Sequence, residues 1–133
     1  MKSLRLVRLE GLIGKLEELI RSGSSPAFED TEPGDYPEIG RERLEDLLTE
    51  GIYHLEEVPG RIPARAELVL RATLGLLRSA READDELLRR VLFIYAFCEA
   101  LVRVRPRSSK LLRACWERID SEVSRISEAV FAQ

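Results

Sequence analysis

The stretch VLFIYAFCEALVRV, residues Val91 to Val104, decides the fold. Only Glu99 and Arg103 interrupt its apolar character. A helix that is apolar on nearly all sides is covered by other elements on nearly all sides. The longest unbroken apolar run inside it, Val91 to Cys98, is eight residues, against about 20 needed to cross a bilayer. The segment therefore reads as the centre of a helical core, not as a membrane span.

Working outward, Asp84 or Asp85 is placed to cap this helix, and Pro106 stops it beyond Val104. Ser108 or Ser109 can cap a following helix that carries Leu111, Leu112, Cys115, Trp116, Ile119, Val123, Ile126 and Val130 at helical spacing. On the other side, a helix is expected from Ala64 to about Glu82, with Leu68, Val69, Ala72, Leu76 and Leu77 facing inward. The break from Val58 to Pro63 separates it from a helix that should begin at Asp35. There Asp35 caps, Pro37 sits in the first turn, and Glu38 lies three residues on. Leu44, Leu47, Leu48, Ile52 and Leu55 give that helix its apolar face.

Residues Gly23 to Gly34 are polar, carry two prolines and read as a loop, with Phe28 as the side chain able to tack it to the core. The first helix spans about Ser3 to Ser22, with Leu9, Leu12, Ile13, Leu16, Leu19 and Ile20 on one stripe and Gly23 at its end. No segment shows sustained period-two alternation. The expected fold is all-α, one domain over residues 1–133, a bundle of four to five helices around a central apolar helix near 85–104. A chain of 133 residues has material for one core.

Composition narrows the chemistry. Eighteen of the 21 basic residues are Arg, Asn is absent, Gln133 is the sole Gln and His54 the sole His. Low amide content with abundant Glu fits a thermophile, and the Arg excess fits a GC-rich genome equally well. Cys98 and Cys115 lie among apolar neighbours without a CxxC pair, so buried free thiols are expected and no metal. Lys2, Arg5, Arg8 and Glu10 interleave with apolar residues in an amphipathic pattern, unlike the apolar core of a secretory signal. The default location is cytoplasmic.

Charge is unevenly placed. Residues 29–57 hold two basic and eleven acidic groups, −9, whereas residues 58–113 hold twelve basic and six acidic groups, +6, within a net charge of −3. One reading is complementarity inside the domain. The other is a basic surface facing a partner, and Arg103, Arg105, Arg107, Lys110 and Arg113 form its densest part, with no acid among them. They sit at a turn where a helix begins, and free N–H groups and guanidinium forks together suit phosphate.

Catalytic patterns are lacking. Glu50, His54 and Glu57 share a helical face at i, i+4 and i+7 but lack the Glu-x-x-His order of di-iron bundles. Glu99 can pair with Arg103 one turn on, if that face is buried. Trp116 can fill the core or stack with Arg. Phe93, Tyr95 and Phe97 alternate along the central helix, pointing to different sides, and are candidates for core plus an interface. The sequence therefore leads to a non-enzymatic helical interaction module without cofactor or metal, self-associating or one small subunit of a larger assembly. The alternative is an accessory subunit of a nucleic-acid complex that contacts phosphates through residues 103–113.

Overall fold

A computed structural model describes residues 4–133. Five α-helices are present: α1 (Leu4–Arg21), α2 (Arg41–Glu56), α3 (Arg61–Ser79), α4 (Asp85–Val104) and α5 (Ser109–Phe131). No strand occurs among the described residues. The expected start of α1 at Ser3, and Lys2 with it, lies outside them.

α4 is the axis of the bundle and packs against all four other helices. Phe93, Ile94, Ala96, Phe97, Cys98, Ala100 and Leu101 are fully buried along it. Asp84 caps its N-terminus by accepting a hydrogen bond from the Leu87 amide at 2.9 Å. Ser108 does the same for α5, accepting from the Leu111 amide at 3.2 Å. The stripes expected on α1 and α2 face the core, with Leu19 part-buried. On α5, Cys115, Trp116, Ile119, Ile126 and Val130 are buried, while Leu111, Leu112 and Val123 pack partly exposed against them. Both thiols are free and buried, and burial holds Cys98 far above its ordinary pKa and Cys115 up to about 11.

Three boundary expectations are corrected. α2 begins at Arg41, with Gly40 as its N-cap, not at Asp35. Residues Pro33–Asp35 close a 3-10 turn instead, and the Asp35 carboxylate points back, accepting from the Glu32 amide at 2.9 Å and from Lys15 Nζ at 2.6 Å. α3 begins at Arg61, because Pro63 is accommodated within its first turn, where no intrahelical N–H is required. It ends at Ser79, short of Glu82. The buried face of α3 is also rotated. Leu68 is 65% exposed and Ala72 lies outside as well, whereas Ala66, Leu70, Thr73 and Leu74 join Val69 and Leu77 inside. Thr73 can be buried because its hydroxyl donates to the Val69 carbonyl at 2.8 Å.

α2 and α3 form an antiparallel hairpin. Arg41 donates to the carbonyls of Leu77 and Ala80 at one end, and Arg71 pairs with Glu56 at the other. At Gly51 the hairpin passes α4 so closely that a Cβ would stand 3.0 Å from the Tyr95 ring and 3.3 Å from Leu70. A glycine in mid-helix costs about 1 kcal/mol relative to alanine, and close approach is what it gives in return.

The loop before α2 is anchored from inside. Phe28 meets Tyr36 at 5.7 Å and Phe93 edge-on at 5.9 Å, and Phe93 meets Phe97 edge-on at 5.5 Å. The Arg90 guanidinium lies 4.4 Å from the Phe28 ring centroid. Its Nη1 donates to the Glu122 carboxylate at 2.8 Å, which is 0% exposed. Arg118 donates to the same carboxylate, and Arg118 and Arg125 both reach Glu29 in the loop, at 3.0 and 2.9 Å. A buried carboxylate is tolerated only with such partners. Replacing Glu122 by Ala is expected to lower stability by about 3 kcal/mol in urea unfolding. That is the low end for a broken buried pair, because Arg90 and Arg118 retain some solvent.

Candidate functional site

The corner joining α4 to α5 carries the basic cluster. α4 ends with Arg105 in the left-handed region, φ 51°, where its amide donates to the Leu101 carbonyl at 2.8 Å and its Nε to the Val102 carbonyl at 3.3 Å. A non-glycine residue there stores strain of order 1–2 kcal/mol. Pro106 follows, and Ser108 opens α5. The Ser25 hydroxyl donates to the Ala114 carbonyl at 3.3 Å and ties the chain after α1 to this end of the bundle.

The five cations of the cluster separate into two kinds. Arg103 is engaged: its two terminal nitrogens donate to the Glu10 carboxylate at 2.9 and 3.1 Å, and its Nε lies 4.0 Å from Glu99. Arg105, Arg107, Lys110 and Arg113 are exposed and form no ion pair among the described residues. Elsewhere the arginines divide: Arg5, Arg8, Arg21, Arg61 and Arg81 are also exposed without an ion pair among the described residues, and others are matched. Arg43, Arg65, Arg71, Arg78, Arg89, Arg90, Arg118 and Arg125 each face a carboxylate within 4.0 Å. Five of the eleven acids of residues 29–57, namely Glu29, Asp35, Glu45, Glu50 and Glu56, are paired inside the fold.

The aromatic candidates fall elsewhere. Phe93 and Phe97 are fully buried within the chain, with Phe28 edge-on to Phe93. Tyr95 is part-buried beside Gly51. Trp116 is buried under the Arg65 guanidinium at 4.8 Å and does not face Lys110 or Arg113 as a free platform. His54 and Glu57 are exposed, Glu50 pairs with Arg43 at 3.6 Å, and no cluster of three metal-ligating side chains occurs among the described residues. Glu122, the buried carboxylate, was readable as a charge standing in the apolar stripe of α5 between Ile119 and Ile126.

No family model matches this chain, and neither a curated protein nor a solved structure matches it. No helix among the described residues is long and apolar enough to cross a membrane.

Glu99 is the one carboxylate on α4 beyond its first turn. Burial pushes its pKa up, while Arg103 and His54 pull it down and Glu10 adds to the rise. An acid whose folded pKa is raised holds its proton more tightly when folded. Its ionisation then subtracts stability as pH rises from the unfolded value, about 4.3, through the folded one. The variant Glu99→Gln is expected to unfold at a higher temperature than wild type at pH 7, with the difference disappearing below about pH 4. Thermal melts across this range check the sign.

Proposed function

We propose that this chain is a non-enzymatic helical binding module that docks a phosphate-bearing partner, a nucleic-acid backbone, on the corner between α4 and α5. The observation that carries the reading is the clustering of four exposed cations without an acid partner, Arg105, Arg107, Lys110 and Arg113, within nine residues that contain no acid. Unpaired cations are free to release counterions when phosphate arrives. The same segment holds the start of α5, where first-turn amides lack intrahelical partners.

Self-association has less behind it. The apolar surface of α4 that could drive it is mostly covered within the chain. The large exposed apolar side chains, Leu6, Val7, Tyr53, Leu68 and Phe131, are spread over four helices.

Fluorescence anisotropy with a labelled duplex oligonucleotide, titrated from 50 to 200 mM salt, tests the proposal. Four phosphate contacts predict a log–log slope of about −3.6. The triple variant Arg105→Glu, Arg107→Glu, Lys110→Glu is expected to abolish binding while leaving the thermal midpoint within a few degrees. Binding that is absent in wild type, or unchanged in the variant, would contradict it.

A further inference from the structure

At the opposite end of α4, about 30 Å from the basic corner for a helix of 20 residues, lies a cavity of about 820 Å³. It is bounded by the first turns of α1, the chain from Pro33 to Gly40 and the first two turns of α4. Its size is that of a small-molecule site. Arg5 and Arg8, one turn apart on α1, and Arg89 on α4 contribute three guanidiniums to its wall. Arg5 and Arg8 have no carboxylate partner among the described residues, and the Arg8 side chain donates only to the Gly34 carbonyl, at a long 3.4 Å. Arg89 is held by Glu86 at 2.9 Å. Two acids, Glu38 and Asp85, also line the cavity, so the formal charge of its wall is three positive against two negative.

Part of the remaining wall is apolar. Ile39, Leu88 and Leu92 face the space, and the first two remain part-exposed although they pack against the core. Gly40 caps α2 without a side chain, leaving first-turn amides of α2 uncapped at the cavity edge. A wall with one surplus positive charge favours a monoanion over a phosphate dianion. Apolar side chains next to Arg5 and Arg8 favour a ligand with an apolar body.

We propose that this cavity binds a small amphipathic carboxylate, with its carboxyl group on Arg5 and Arg8 and its hydrocarbon body against Ile39, Leu88 and Leu92. The site is independent of the basic corner, and neither reading rests on the other. Octanoate is the probe, titrated into ¹⁵N-labelled protein and followed by amide chemical shifts. Saturable shifts are expected at residues of α1, of the chain from 33 to 40 and of the start of α4. Acetate, which lacks the body, octylamine, which reverses the charge, and inorganic phosphate should each bind at least about tenfold more weakly. The exposed double variant Arg5→Gln, Arg8→Gln should weaken octanoate about tenfold while keeping the wild-type melting point, and Ile39→Ser should weaken it with both arginines in place. Absent or non-saturable octanoate shifts would overturn the proposal. So would equal binding of octylamine or phosphate, or an unchanged affinity in the double variant.

Discussion

Everything in this molecule depends on the burial of α4. From Val91 to Leu101 almost every side chain is out of water, and helices α1, α2, α3 and α5 are each placed by the side of α4 that they cover. Fully burying a Phe, Leu or Ile side chain stabilises by about 1.5–3 kcal/mol, and α4 concentrates more such groups than any other helix. The close pass of α2 at Gly51 and the folding of the 23–40 segment over Phe28 are consequences. Both serve to close the last sides of one helix.

Polar groups are arranged around that requirement. Arg90 leaves α4 toward Glu122 on α5, and Glu122 in turn gathers Arg118 and Arg125, which hold Glu29 of the loop. Arg103 leaves the far end of α4 toward Glu10 of α1. These contacts register helices that apolar packing alone would leave free to slide. With the other ion pairs they engage nine of the eighteen arginines. Among the cations without an acid partner, Arg105, Arg107, Lys110 and Arg113 share the corner after α4 and Arg5 and Arg8 share the wall of the cavity at its start, while Arg21, Arg61 and Arg81 belong to neither.

Much of the fold was legible in the residues. The all-round apolar character of 91–104, a cap at Asp84 or Asp85 and another at Ser108 or Ser109, and the stripes of α1, α2 and α5 all follow from local pattern, and the structure carries them with Asp84 and Ser108 as the caps. The start of α2 was not, because Asp35 and Pro37 make a good helix opening and an equally good turn. Lys15, distant in sequence, helps hold the turn. The face of α3 was misread because Thr73 and the small Ala66 interrupt the true stripe, while Leu68 extends a false one. For the basic cluster, the sequence placed five cations together but gave no sign that Glu10, 93 residues away, engages Arg103. The burial of Phe93 and Phe97 depends on how many neighbours α4 has, which is a property of the assembled bundle.

The claim that α4 is covered by its own chain is tested most directly by native-state hydrogen exchange, run at two protein concentrations. Amides from Val91 to Leu101 are expected to exchange only through global unfolding, with the same protection at both concentrations. Exchange of those amides through a lower-energy opening, or protection that rises with concentration, would show that part of α4 waits for another molecule to cover it.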